Sequence, residues 1–338
     1  MEQLNDNNCN HLNSKIDYSI SDIFKDPFSQ QKKLIESLFK KSLMFLSQKE
    51  VHILIVGASG SGKSETINAL LKDANIKDQK AISKSGSASV TMDIETFKVG
   101  SCILYDSPGL GDNLKLENEH ISKIKNKLLE IDSNNQQLID LVVVILNASN
   151  LRNLKSEYQI INDILLPNLK NKEKLIIAIN KIDLYDDGYD WDKEKNQPTT
   201  QMRQEIEKDI QKLKNKIKDS TGFDVTPIYF SAGRRDRNQK PWNLIKLYSE
   251  MNKNVSNEKK ISLNSQVNSK KENFENSDNF EKEKKIIKQD LQLNMEDSIR
   301  KKLNTPKIEI GKDEKESEGW LSKIVIGFLS GIFSIFSW

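Results

Sequence analysis

The chain has 338 residues, a formal net charge of +3 and 30% charged side chains, so it has room for one α/β domain of ordinary size plus further segments. The near balance of charge excludes a general electrostatic attraction to nucleic acid. Cys9 in a polar stretch and Cys102 in an apolar one exclude a disulfide framework and a cysteine metal site, and "MEQLNDNNCNHLNSK" lacks the basic and apolar blocks of a secretory leader, so a cytoplasmic location is expected.

In chain order, residues 1–25 are Asn-rich and expected to be disordered. Over 26–50, Leu34, Leu38, Met44 and Phe45 approach helical spacing, which predicts a helix beside the main sheet. From 51 to 251 short apolar runs ("HILIV", "CILYD", "LVVVILN", "KLIIAIN", "VTPIYF") alternate with polar-faced helical stretches such as Thr200 to Ser220. That alternation predicts an α/β fold: a three-layer arrangement with a mostly parallel sheet between helices. Residues 252–318 are rich in Lys, Glu, Asn and Ser and read as a charged linker. Within them Ile287, Leu291, Met295, Ile299 and Leu303 recur every four residues and suggest one helix, so the expectation is a helical and disordered C-terminal extension.

The last segment, 319–338, puts Leu321, Ile324, Val325, Phe328, Leu329, Ile332, Phe333 and Phe336 on one wide helical face and small or weakly polar residues on the other. A final core helix is the plain alternative. The long polar stretch before it favours contact with a membrane surface, either as a helix lying in the interface or as a spanning tail anchor.

The chemistry is concentrated where the apolar runs end. "VHILIVGASGSGKS" runs a strand into Gly57-x-x-x-x-Gly62-Lys63-Ser64, a small-residue loop whose backbone N–H groups can curl around phosphate oxygens while the following helix aims its positive end at them. Ala58, Ser59, Gly60, Ser61 and Glu65 belong to the same nucleotide-contacting stretch. "CILYDSPGLGD" ends in Asp106-Ser107-Pro108-Gly109, where the carboxylate can hold a water of a Mg²⁺ ion and the Gly109 N–H can meet a γ-phosphate, although Pro-Gly is also ordinary turn punctuation. "LIIAINKIDLY" runs a strand into Asn180-Lys181-Ile182-Asp183. A carboxylate at Asp183 can accept from both N1–H and the exocyclic amine of guanine, a donor pair that adenine lacks. Lys181 would lie along the base, and Asn180 would tie this loop to the phosphate loop.

With these motifs in this order, the chain resembles the small GTPases of the translation-factor class over about 200 residues. The resemblance implies a Ras-like G domain that binds GTP and GDP with Mg²⁺ and hydrolyses GTP. It implies a guanine-supporting role for Ser231, Ala232 and Gly233 in "YFSAGRR", where Gly233 replaces the usual Lys, and catalytic roles for Lys63, Thr91 and Gly109. Metal contacts fall to Ser64, Thr91 and, through water, Asp106; Ser87 and Ser89 lie near enough to compete with Thr91 for the switch position. Leu110 stands where Ras-type enzymes place a water-orienting Gln, which is similar to the branch holding Era-like and TrmE-like GTPases, septins and the chloroplast-import-receptor type. A slow intrinsic rate follows. Gly60 departs from the Asn of potassium-activated members, and no RNA-binding module of the Era kind follows the G domain, so ribosome binding is not supported.

Arg234, Arg235 and Arg237 could act across a homodimer of G domains or simply face solvent. The insert "YDDGYDWDKEKNQPTT" is read as a surface loop that exposes Trp191, either without a role or as a partner surface. His11, His52 and His120 have no metal-ligand spacing. The expected protein is a membrane-associated GTP switch. The alternatives are a septin-like assembly scaffold with little turnover and a ribosome-assembly GTPase.

Overall fold

The structure, a computed structural model, describes residues 47–71, 74, 94–108, 114–233 and 239–303. The expectations for residues 1–25, most of 26–50, and 319–338, and those for Thr91, Gly109, Leu110 and the arginines at 234, 235 and 237, lie outside the described residues.

Six strands form one sheet in the order β2-β3-β1-β4-β5-β8. They are β1 (Val51–Val56), β2 (Glu95–Val99), β3 (Cys102–Asp106), β4 (Leu141–Asn147), β5 (Leu175–Asn180) and β8 (Ile228–Tyr229). Only β2 runs antiparallel, against β3. A parallel sheet covered on both faces needs near-continuous apolar strands, and β4 and β5 are apolar up to the Asn that ends each. The pleat sends alternate side chains to opposite faces. Along β1, Val51, Ile53 and Ile55 join one core cluster, and Leu54 and Val56 the other.

Helices α2 (Leu114–Leu129), α3 (155–168) and α4 (Thr200–Thr221) cover the second face. The middle of α3 widens to a π-helix over Ile160–Leu165. On α4, Met202, Ile206, Ile210, Leu213 and Ile217 form the buried stripe; the Thr199 hydroxyl caps the start by accepting from the Met202 N–H, and Gly222 at φ 70° ends it.

The first face is covered differently from what composition suggested. Helix α1 (Lys63–Leu70) is short, and the remaining sheet surface is covered by α5 (Leu244–Asn254), α6 (Lys260–Ser265) and α7 (Phe280–Leu303). Residues 252–303, expected as a charged linker with one helix, are therefore a folded part of the domain. Val255, Ile261, Leu263, Val267, Phe274, Ile287 and Leu291 are buried in the same cluster as β1 and β3. Leu71 bridges to Val267, and the Asn268 N–H donates to Leu70 O at 2.9 Å, so the extension grips the end of α1. The polar composition reflects the outer faces of these helices and a buried polar network among them, not solvation of the whole stretch.

The insert keeps much of its surface in solvent, with Tyr189 and Lys193 to Lys195 exposed, but Trp191 is packed rather than exposed. The insert's two short strands β6 (Trp191–Asp192) and β7 (Gln197–Pro198) pair with each other, and Trp191 retains 7% of its surface. Among the described residues no helix is long and apolar enough to cross a membrane.

Candidate functional site

The site lies at the carboxyl ends of β1, β3 and β5, where ligands of parallel sheets bind. After β1 the chain turns through Gly57 to Gly62 and enters α1 at Lys63. Two of the glycines are demanded by geometry. A Cβ on Gly57 would come within 2.4 Å of Ile145 O in β4 and 2.8 Å of the Ser61 hydroxyl oxygen, and one on Gly62, at φ +90°, would come within 2.2 Å of Asn180 Nδ2. Ser61 is fully buried, and its hydroxyl has no hydrogen-bond partner among the described residues. The Lys63 ammonium lies over the loop and donates to Gly57 O at 2.9 Å and Ala58 O at 3.3 Å. Thr66 secures the start of the helix, its N–H and its hydroxyl both donating to Gly62 O. A helix cannot satisfy its own first N–H groups, so this turn presents a donor set suited to phosphate. Ala58, Ser59, Gly60, Ser64 and Glu65 lie on this loop and first turn, each at least partly exposed.

Asp106 ends β3, beside Ile55 of β1 in register, and the Ser107 N–H donates to Ile55 O at 2.9 Å. Asp106 and the Ser64 hydroxyl supply hard oxygen donors of the kind Mg²⁺ takes. Among the described residues no three His, Cys, Asp or Glu side chains cluster as a metal cage. Any metal held here would thus depend on hydroxyls, water and phosphate as well as on Asp106.

The base-side loop begins where β5 ends. Asn180 is almost fully buried and joins two loops: its Nδ2 donates to Ser61 O at 3.0 Å, and its Oδ1 accepts from the Ala232 N–H at 3.0 Å. Lys181 turns the chain at φ 60°, and its Cε lies near Gly62. Asp183 accepts at Oδ1 from the Ser231 hydroxyl at 2.7 Å, and that hydroxyl also accepts from the Gly233 N–H at 3.2 Å. Gly233 sits at φ +76°, where a Cβ would meet Gln239 O at 2.5 Å, which explains a glycine at this position instead of the usual Lys. Asn180, Lys181, Asp183, Ser231, Ala232 and Gly233 are thus brought together with Ser61 and Gly62. Thr91 and Gly109 are not described.

Sequence reasoning missed the support beneath this loop. The Tyr185 hydroxyl donates to Asp209 Oδ2 at 2.9 Å and accepts from Arg152 at 3.1 Å, tying the stretch after Asp183 to α4. Burial pushes the Asp209 carboxyl up, but hydrogen bonds from Lys212, Tyr185 and Arg152 hold it net below the usual carboxylate range. No short motif links residues so far apart. His52, assigned no role, packs its ring on Tyr105 and donates its backbone N–H to Asp140 at 2.8 Å, a structural setting.

A glycine-rich loop between strand and helix, set beside an Asn-Lys-x-Asp loop on a mostly parallel six-stranded sheet, gives the α/β fold class of P-loop GTPases. Comparison with known proteins points the same way: residues 52–181 match the family model described as 50S ribosome-binding GTPase. A curated relative, the probable GTP-binding protein EngB of Methanococcus aeolicus, is 29% identical over 119 residues, covering 35% of this chain and 49% of that protein. The chain thus spans about half the length of the relative it matches. Among solved structures, a probable GTP-binding protein engB aligns at 17% identity and a TM-score of 0.36, over 60% of this chain and 96% of that one. Toc33 from Arabidopsis thaliana, in complex with Mg²⁺ and GMPPNP, aligns at 16% identity and a TM-score of 0.37, over 71% of this chain and 93% of that one.

Proposed function

We propose that this chain binds GTP with Mg²⁺ and hydrolyses it to GDP and phosphate as a nucleotide-dependent switch at a membrane surface. The observation that carries the nucleotide reading is Asn180, whose single side chain joins the phosphate loop at Ser61 to the base-side loop at Ala232. One rigid unit then reads both ends of the same ligand. Lys63 offsets phosphate charge, the Gly57 to Gly62 backbone surrounds it, and Asp183 selects guanine. Mg²⁺, held by Ser64, Thr91 and, through water, Asp106, would supply further neutralisation of the phosphates when bound. The γ-phosphate would order the Thr91 and Gly109 segments, and its loss would release them.

Leu110 cannot orient water, so intrinsic turnover should fall below about one per second, and a second G domain or a partner should raise it. Competition binding of GTP against ATP, followed by phosphate release, tests the core of the reading. Equal affinity for the two nucleotides would overturn the guanine assignment, and rapid turnover by dilute monomer that Leu110→Gln leaves unchanged would overturn the account of the rate. The membrane element is residues 319–338, whose flank from Lys312 to Glu318 carries more acid than base, so apolar burial rather than charge would hold it. Liposome flotation of the full chain against one ending at Glu318 tests this, and unchanged binding after truncation would refute it. Carbonate-resistant retention would favour the spanning anchor over the interfacial helix.

A second reading, a GTPase acting on ribosomal particles, is supported by the description of the matching family model. Nucleotide-dependent, salt-resistant co-sedimentation with large ribosomal subunits would favour it over the membrane switch.

A further inference from the structure

We propose that the insert from Tyr185 to Thr200 braces the base-reading loop, with Trp191 and Trp242 as positioning residues for guanine selectivity. The proposal rests on the guanine-binding reading of Asp183 and deepens it. The connection can be followed atom by atom. The Trp191 ring meets the Trp242 ring edge-on, with centroids 5.9 Å apart and planes at 90°. Trp242 has no exposed surface, stacks on Tyr229 at 5.9 Å, and has the Arg203 guanidinium 5.2 Å from its ring. Its backbone pairs with Ser231 in both directions, at 3.0 Å and 2.9 Å. The Ser231 hydroxyl in turn donates to the Asp183 carboxylate at 2.7 Å. The insert's indole is therefore three steps from the group that reads the base.

A second set of ties holds the same unit from the other side. Asn196, also in the insert, donates from Nδ2 to Lys240 O at 3.0 Å, on the segment that leads into Trp242. Asn276 of the C-terminal extension donates to Asn196 O at 2.9 Å, and the Asn243 N–H donates to Asn276 O at 2.8 Å. The insert, the return of the guanine-supporting loop and the extension are thus hydrogen-bonded together next to Ser231.

The functional consequence concerns accuracy rather than existence of the site. A positioned group loses much of its effect when displaced by about 1 Å, and buried aromatic packing is what resists such displacement. Guanine differs from hypoxanthine by the exocyclic amine alone, and Asp183 is the group that would accept from it. The ratio of inosine to guanosine diphosphate dissociation constants therefore reports how well Asp183 is placed, while the phosphate loop contributes equally to both ligands.

The test uses the full chain and its Trp191→Phe and Trp191→Ala variants, with calorimetric titration of GDP, IDP and ADP and a melting temperature for each. Trp191→Ala should narrow the IDP to GDP ratio by about tenfold, the effect of losing one hydrogen bond to a charged acceptor, whereas Trp191→Phe should keep most of it. A lowered melting temperature with an unchanged ratio would overturn the proposal and leave Trp191 a packing residue. If Trp191→Ala does not fold, Asn196→Gly removes the Asn196 side-chain tie without straining a position at φ 51°, and should narrow the ratio in the same direction. An unchanged ratio there would overturn the brace equally. Wild-type chain that binds ADP as well as GDP would instead refute the guanine reading itself, so the two failures are told apart.

Discussion

Breaking the ion pair between α6 and α7 should reveal how much of the domain depends on its C-terminal extension. Lys260 retains 4% of its surface, and its ammonium donates to both oxygens of Asp290, at 2.7 Å and 2.6 Å. Asn252 on α5 donates to the same carboxylate at 2.7 Å, and Asn264 on α6 donates to Asn252 Oδ1 at 2.6 Å, so one network joins three helices. Replacing Asp290 by Ala leaves a buried ammonium without its carboxylate and an amide without its acceptor. Removing one partner of a buried pair costs about 3 to 5 kcal/mol. Because the Asp290 side chain is 30% exposed, water can enter, and a loss of about 3 kcal/mol is expected. That is a large share of the roughly 5 to 15 kcal/mol by which domains are stable. The paired change Lys260→Met with Asp290→Leu should recover most of it, since apolar residues of similar volume often replace a buried pair without loss, leaving about 1 kcal/mol for the unpaired Asn252 amide. Urea denaturation of the full chain, followed by tryptophan fluorescence and circular dichroism, measures each value. A single-variant cost under about 1 kcal/mol, or a double variant no more stable than Asp290→Ala, would refute the claim that this pair locks the extension onto the sheet.

Asp183→Asn should weaken GTP binding about 100-fold, the loss of one strong bond to a charged acceptor plus repulsion from the new amide donor, and should raise affinity for XTP, whose C2 carbonyl can accept from that amide; competition titration measures both. Gly62→Ala places a Cβ 2.2 Å from Asn180 Nδ2 at φ +90°, so it should weaken GDP binding at least about tenfold by separating the two loops, and wild-type affinity in this variant would show that Asn180 does not hold them. Burial pushes the Cys102 thiol up to about 12, which keeps it protonated at neutral and mildly alkaline pH. In a Cys9→Ser chain, Ellman's reagent at pH 8 should therefore find no reactive thiol until urea unfolds the protein, and fast labelling of the native chain would contradict the placement of Cys102 in the core.

The phosphate and base-side loops were legible in the sequence because their chemistry is contiguous. Gly57 to Ser64 and Asn180 to Asp183 are each a contiguous motif of a few residues, and the apolar runs before them placed both at strand ends, where the structure has them. The alternation of short apolar and longer amphipathic segments likewise implied the parallel α/β sheet, since strand and helix periods are local properties. What depends on distant partners was not legible. The hydrogen bond from Ser231 to Asp183, the buried face of Trp191 against Trp242, and the anchoring of Tyr185 by Asp209 and Arg152 each join side chains far apart in the chain. The extension was misread for a related reason. Whether Val255, Leu263, Phe274 and Leu291 are buried depends on how much of the β1 and β3 face the short helix α1 leaves uncovered, and that is a property of the assembled sheet, which a mostly polar local composition does not reveal.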